Sequence, residues 1–285
     1  MIVVTGATGA LNGATVDHLL ERLSAEALAV AVRDPARAER FAARGVEVRR
    51  ADYAEPKTLP AAFADADQLL LVSSSDPHAD AVSLHRSAIA AAVSAGVGRI
   101  LYTSHQGAHP DTPFGPGRDH AATEELLAET GLPWTALRNG FYAHSLSWLL
   151  GPWRETGLIQ IPADGPVSWT ARENAAEAAA VILASGGAYD GPITLTAPAA
   201  PTFAQIAEIA SDVAGRPIRS MVLDAEEWIA AQVEAGQPEF AARFNLGMYQ
   251  AAQQGYFATV DPRLEKLLGR EPHTVGDQLS QATRQ

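Results

Sequence analysis

The sequence predicts an α/β protein: a doubly wound parallel sheet with a smaller C-terminal lobe. Three observations predict it. Through the first half, apolar β-branched runs alternate with segments of helical spacing. The opening run Ile2-Val3-Val4 breaks into closely spaced glycines and a helix-period segment follows. Beyond Asn139 the alternation gives way to a stretch where Trp148, Trp153 and Trp169 lie among Gly and Pro.

The elements follow in order. Strands are expected at Ile2–Thr5, Leu28–Val32, Val46–Ala51, Gln68–Ser73 and Arg99–Thr103, each a short run suited to a buried position. Helices are expected between them at Ala14–Leu23, Pro35–Ala43, Thr58–Phe63 and Asp80–Ala95. In the first, Val16, Leu19, Leu20 and Leu23 share a face. A helix at His120–Glu129 ends near Gly131, and Pro133–Arg138 supplies a sixth strand. Later come a helix at Glu173–Ala184 and a short strand at Pro192–Thr196. A helix at Phe203–Ala214 carries Thr202 as its cap. A strand at Ile218–Leu223, a helix from Ala225 and a short helix at Arg263–Gly269 complete the chain. The expected division is 1–150 for a nucleotide-binding domain, to which the chain returns near 173–198, and 151–285 for a mainly substrate-binding lobe.

Composition narrows the function. Hydrophobic residues are 47% and charged residues 19% of 285, enough for a sizeable core and against disorder. The net charge is −12 and no basic run occurs, which argues against nucleic acid as a partner. The cysteine count is 0, which excludes disulfides, thiolate metal sites and cysteine nucleophiles. His105 and His109 stand four apart but fall outside any expected helix, and His120 lies further on, so no metal is expected. No apolar stretch is long enough to span a bilayer and no charged leader precedes the first strand. A cytoplasmic protein without membrane contact, monomeric or homodimeric, is expected.

The glycine segment carries the first chemical signal. Thr5-Gly6-Ala7-Thr8-Gly9-Ala10-Leu11-Asn12-Gly13 joins a strand to a helix N-terminus. Glycines allow a tight turn and close approach of backbone to ligand. Free N–H groups and the helix dipole favour an anion there, as in dinucleotide sites. Asn12 stands where a third glycine is expected, with Gly13 next to it.

The other candidates lie at strand ends, where such sheets bind ligands. Arg33 ends the second strand and Arg37 sits one turn on. They either pair with a ribose 2′-phosphate, favouring NADPH over NADH, or are solvated surface arginines. Asp34 between them would repel a phosphate if it pointed inward. Asp52 and Tyr53 end the third strand, where Asp52 either accepts from the adenine amino group or serves the turn. Ser73, Ser74 and Ser75 follow the fourth strand; they leave room for a nicotinamide ribose or form a plain loop. Thr103, Ser104, His105 and Gln106 follow the fifth and are expected to face nicotinamide or substrate. Phe141 and Tyr142 either stack on a flat ring or pack in the core, and Trp148, Trp153 and Trp169 either wall an aromatic pocket or knit the lobe together.

Taken together, Thr5–Gly9, Val32–Arg37, Ala51–Tyr53, Leu69–Ser75, Tyr102–Ser104 and Leu137–Tyr142 resemble the NmrA-like atypical short-chain dehydrogenases. The chain looks most similar to their type 2 NAD(P)H:quinone oxidoreductases, with triphenylmethane reductases as relatives. The resemblance implies a Rossmann-like domain and a cofactor cleft lined by Gly6, Thr8, Gly9, Ala10, Leu11, Arg33, Arg37, Ser73, Asn139, Gly140, Phe141 and Tyr142. It also implies reduction of a quinone or similar planar aromatic electrophile. Asn12, Asp52, Tyr53, Ser74, Ser75, Thr103 and Ser104 are added as cofactor contacts, and His105, Gln106, Phe141, Tyr142 and Trp148 as substrate contacts.

One departure from most short-chain dehydrogenases bears on the chemistry. The segment after the fifth strand, where a Tyr-x-x-x-Lys pair is expected, reads His120-Ala121-Ala122-Thr123-Glu124 and carries none; the spacing occurs only at Tyr53 and Lys57, after the third strand. Without the lysine that lowers a tyrosine pKa, alcohol–ketone chemistry is disfavoured. A quinone is electrophilic enough to accept hydride directly. His120 is then the proton donor in that segment, or a helix-terminal histidine with a structural bond. Two other functions stay open: a dinucleotide-binding redox sensor without turnover, and a tailoring reductase or oxygenase acting on aromatic metabolites.

Overall fold

The computed structural model describes residues 1–74, 76 and 79–281. Its strands are β1 (Ile2–Thr5), β2 (Leu28–Val32), β3 (Glu47–Arg50), β4 (Gln68–Leu71), β5 (Arg99–His105), β6 (Trp134–Asn139), β7 (Phe141–Tyr142), β8 (Leu158–Ile161), β9 (Trp169–Thr170), β10 (Gly191–Leu195) and β11 (Arg219–Val222). Its helices are α1 (Ala10–Leu20), α2 (Glu39–Ala42), α3 (Leu59–Phe63), α4 (Ala81–Ser94), α5 (Gly115–Ala128), α6 (Leu146–Leu149), α7 (Trp153–Thr156), α8 (Arg172–Ala184), α9 (Phe203–Ala214), α10 (Ala225–Glu234), α11 (Glu239–Gln253), α12 (Arg263–Leu268) and α13 (Val275–Gln281).

Two compact units are present. The first comprises Met1–Ser104, Asp119–Arg138 and Ala175–Ile193; the second comprises His105–Arg118, Asn139–Asn174 and Thr194–Gln285. Residues 105–118 and 139–150, assigned to the nucleotide domain from the sequence, thus pack in the second unit. The reason is tertiary: Phe114 and Phe141 join an aromatic cluster with Phe257 there.

The seven-stranded sheet has the order β10-β6-β5-β4-β1-β2-β3. The pairs β1–β2, β2–β3, β1–β4 and β4–β5 are all parallel. Strand order therefore reverses at β1, between β2 and β4, and ligand crevices open at such a point. Below the sheet, Val3, Leu69, Leu71, Ile100 and Tyr102 pack with Leu59, Phe63, Ala88, Ile89 and Ala92. The period-2 spacing of the strand residues puts them on one face. On α4 the buried residues His85, Ala88, Ile89 and Ala92 form one helical stripe, with a histidine among the apolar positions.

The second unit is held by an aromatic and aliphatic core. Trp169, Phe203, Tyr249 and Trp228 contact in series at ring-centroid distances of 5.8, 5.0 and 5.5 Å. Thr202 caps α9 in a reciprocal box with Gln205, and Gly215 ends it in the left-handed region at φ 64°. Trp153 and Trp169 are buried in this core, whereas Trp148 is 49% exposed. The three tryptophans therefore do not form one wall.

Several boundaries shift for physical reasons. Helix α1 begins at Ala10 rather than Ala14, because Gly9 takes the extended cap conformation and Asn12 and Gly13 are absorbed into the first turns. The segment expected as one helix at Pro35–Ala43 is a 3₁₀ turn, Pro35–Ala38, followed by α2. Strand β4 stops at Leu71, and α5 starts at Gly115, ahead of the expected His120. Helix α11, with Ala242, Met248, Tyr249, Ala251 and Ala252 buried, was not anticipated.

Candidate active site

A cavity of about 590 Å³ opens in the first unit at the carboxyl ends of β1 to β4. Thr5, Gly6, Thr8 and Gly9 line it from β1; Val32, Arg33 and Arg37 from β2; Asp52, Tyr53 and Ala54 from β3; and Val72, Ser73, Ser74, Asp76, Ala79 and Leu84 from β4 and beyond. Its size is that of an ordinary small-molecule or cofactor site.

Backbone geometry at the glycine turn suits a phosphate. Gly6 adopts φ 63°, and a Cβ there would meet the Val72 side chain at 2.7 Å. Only glycine satisfies both demands. Gly13 N–H donates to the Gly9 carbonyl at 2.9 Å, the first rung of α1. The N–H groups of Ala10, Leu11 and Asn12 precede that rung and have no acceptor within the helix. A Cβ on Gly13 would fall 2.8 Å from the Ala7 carbonyl oxygen, so Gly13 serves the close packing expected of a third glycine. The Asn12 side chain is 1% exposed and donates to the Thr5 carbonyl at 2.8 Å. It braces the loop from inside; neither it nor Ala10 and Leu11 walls the cavity.

The Thr5 hydroxyl is a junction between strands. It donates to the Leu70 carbonyl at 3.0 Å and accepts from the Val72 N–H at 2.8 Å. Tyr53 Oη lies 2.8 Å from it and 3.2 Å from the Val72 carbonyl oxygen. Burial pushes the Tyr53 phenol up, so it acts as a neutral donor.

At the β2 end, Arg33 and Arg37 both border the cavity and are exposed. The Asp34 carboxylate accepts from the Ala36 N–H at 3.1 Å and caps the 3₁₀ turn. Asp34 is absent from the cavity wall, which removes the expected repulsion. Asp52 borders the cavity while accepting from the Ala54 N–H at 3.0 Å, so it serves the turn as well.

Thr103 and Ser104 lie behind this wall. Thr103 Oγ1 accepts from the Ser73 N–H at 2.8 Å. Ser104 Oγ donates to Glu124 Oε1 at 2.6 Å. Arg138 grips the same buried carboxylate, from Nε at 2.9 Å and Nη2 at 2.5 Å. His120 Nδ1 lies 2.8 Å from the Tyr102 hydroxyl. Ser75 falls outside the described residues.

In the second unit His105 contacts Phe114, Phe141 and Phe257 at centroid distances of 5.8, 5.4 and 5.2 Å. Burial pulls its pKa down to about 4. Nδ1 accepts from the Gly107 N–H at 3.0 Å, which places the proton of this neutral ring on Nε2. Phe244, 52% exposed, extends the cluster through Phe114 at 5.7 Å. The Gln106 amide is buried at both its oxygen and nitrogen, and neither atom has a partner among the described residues; nor has Asn139 Oδ1. Asn139 Nδ2 donates to the Tyr142 hydroxyl at 3.3 Å. Burial raises the Tyr142 pKa to about 12. Gly140 is fixed sterically, because a Cβ would lie 2.1 Å from Thr170 Oγ1.

Sequence reasoning missed Thr5, Val72, Ala79 and Leu84 in the wall, and Phe114, Phe244 and Phe257 in the cluster. Thr5 carried a signal, as the polar residue ending an apolar strand. The phenylalanines meet only through the tertiary fold. Among the described residues there is no group of three or more His, Cys, Asp or Glu that could hold a metal. Nor is any described helix long and apolar enough to cross a membrane.

A glycine turn, a helix N-terminus and a pair of arginines at a sheet switch point define a dinucleotide-binding α/β protein. A family model described as NAD(P)H-binding matches residues 6–191. The chain is 33% identical over 279 residues to an NAD(P)H azoreductase of Xenophilus azovorans, covering 97% of this chain and 96% of that one. It is 33% identical over 282 residues to quinone oxidoreductase 2 of Escherichia coli K12, covering 98% of each. The structure of an Escherichia coli NADPH-dependent quinone oxidoreductase complexed with NADPH matches with a TM-score of 0.92 at 31% identity, over 99% of this chain and 100% of that one. Citrobacter sp. triphenylmethane reductase complexed with NADP(H) matches at 0.89 and 33% identity, over 99% and 100%. This chain belongs to the NmrA-like NAD(P)H-binding family.

Proposed function

We propose that the protein is an NAD(P)H-dependent oxidoreductase that reduces quinones or comparable planar aromatic electrophiles such as dyes. The observation that carries this is the cleft over β1 to β4, where the Gly6–Gly9 turn meets Arg33 and Arg37. The residues fit the cofactor, since the positive φ of Gly6 and the bare Cα of Gly9 leave a cradle for phosphate. The relatives, an azoreductase and a quinone reductase, support the substrate class.

The roles follow from chemistry. When bound, NADPH supplies the hydride. The N–H groups at the start of α1 hold the pyrophosphate, and Arg33 and Arg37 pair with the 2′-phosphate. Asp52 faces the adenine, and Ser73 and Ser74 the second ribose. For the acceptor ring the candidates are the aromatic residues His105, Phe114 and Phe141 of the second unit, whose rings are tilted to one another by 46–87°, together with the Gln106 amide. A quinone that gains hydride needs one proton to become a hydroquinone, and His120 is the candidate donor.

The test is NADPH consumption by the purified protein with and without a small soluble quinone. Saturable, quinone-dependent consumption is expected. Tight NADPH binding without consumption across several quinones and azo dyes would overturn turnover and leave a dinucleotide sensor.

A further inference from the structure

His85 is buried, 1% exposed, on the packed face of α4 and outside the cavity wall. Its hydrogen bonds fix its proton. The Ser74 N–H can only donate, and it donates to Nε2 at 2.7 Å. Nε2 is therefore unprotonated, and the proton of the neutral ring lies on Nδ1. Nδ1 sits 2.8 Å from Thr123 Oγ1. The Thr123 hydroxyl hydrogen is turned to the Asp119 carbonyl at 2.7 Å, which leaves its lone pair for Nδ1–H. The result is a one-way chain from the Ser74 backbone through His85 and Thr123 to α5. Tyr102 closes on the ring edge at 5.4 Å and holds its plane.

Ser73 and Ser74 form the cavity wall beyond β4. The Ser73 N–H is likewise tied back, to Thr103 Oγ1 at 2.8 Å. Successive N–H groups of this wall are thus turned into the protein, away from the cleft. The polar atoms left for a ligand on this segment are carbonyls and serine hydroxyls. Such a surface accepts from ribose hydroxyls, and it offers an anion no backbone donor.

The strand order says which part of the cofactor meets this wall. With the pyrophosphate at the β1 turn and the 2′-phosphate at Arg33 on the β2 side, the other half of the molecule must run over β4. We infer that His85 is a positioning residue for the nicotinamide-ribose half of NADPH: it holds the Ser73–Ser74 wall against α5 and leaves the adenosine half unaffected. The inference rests on the nucleotide assignment above.

The experiment compares NADPH with adenosine 2′,5′-bisphosphate, which lacks the nicotinamide half, by calorimetric titration of the full chain. For His85→Ala we expect NADPH to bind about ten-fold more weakly, the scale of one lost hydrogen bond in a pre-organised wall, with the bisphosphate unchanged. For His85→Gln, whose amide accepts from Ser74 and donates to Thr123, we expect most of the NADPH affinity to return. Equal weakening of both ligands, or unchanged NADPH affinity in a folded His85→Ala protein, would overturn the role. If His85→Ala fails to fold, Thr123→Val tests the same chain. It should weaken NADPH selectively, and unchanged NADPH affinity would again overturn the role. Failure of the unaltered protein to bind the bisphosphate would instead sink the nucleotide assignment itself.

Discussion

Arg138 closes on Glu124 through two nitrogens, Nε at 2.9 Å and Nη2 at 2.5 Å, and so neutralises a buried carboxylate at the end of β6. Glu124 stands where the usual short-chain dehydrogenase pattern would have its lysine, four residues after the position of the tyrosine. The charge that tunes a phenol in those enzymes is reversed here and already spent on an arginine. That is a physical reason to look away from alcohol chemistry.

Removing the arginine alone should be severe. Arg138→Met leaves the Glu124 carboxylate buried without its counter-charge, and a loss of about 3–5 kcal/mol is expected in urea denaturation. Adding Glu124→Gln to the same chain should recover at least half of it. Additive losses in the double variant would show that the pair is not coupled.

Arg33→Asp should separate the two cofactors. Losing a charge-assisted phosphate contact and adding a repulsion should weaken NADPH by about a hundred-fold, with NADH changed by less than about three-fold. Fluorescence titration decides it, and equal losses for both would remove Arg33 from the phosphate site.

His120→Ala should lower kcat with quinone by about ten- to a hundred-fold while NADPH affinity holds. Tyr102→Phe, which removes the partner of Nδ1, should have a smaller effect in the same direction. Unchanged steady-state rates in His120→Ala would leave that histidine a structural part of α5.

Acid should destabilise the fold through His85 and His105. Burial holds both at about 4, below the ordinary value of about 6.5 expected when unfolded. The unfolded chain therefore binds more protons within that window. Stability is full above about pH 6.5, falls as pH drops toward about 4, and levels off below. His85 accounts for a loss on the order of 3 kcal/mol. Denaturation at pH 7 and pH 4.5 should show a smaller difference in His85→Gln than in the unaltered protein.

Much of the first unit was legible because its signals are local. The run Ile2–Thr5 and the turn Gly6–Gly9 announce themselves within a few residues, and Arg33 and Asp52 fall at strand ends by simple alternation. Boundaries were harder where tertiary bonds decide them. Asn12 reads as a flaw in a glycine pattern until its amide is seen to hold the Thr5 carbonyl from within the helix. His85 carried a readable signal, a polar residue on the stripe of Ala88, Ile89 and Ala92, but not its partners. In the second unit His105, Phe114 and Phe257 come together from distant segments, and no periodicity links them.

The two ends of the cleft differ in how they are held. Thr5, Tyr53 and Val72 are locked to one another across strands, whereas Arg33 and Arg37 stand exposed at the rim. Substitutions at such exposed positions usually change stability by no more than about 0.5 kcal/mol. Under the proposed function, the choice between phosphorylated and unphosphorylated nicotinamide cofactors can then be re-engineered at these rim positions without disturbing the interlocked frame of Thr5, Tyr53 and Val72.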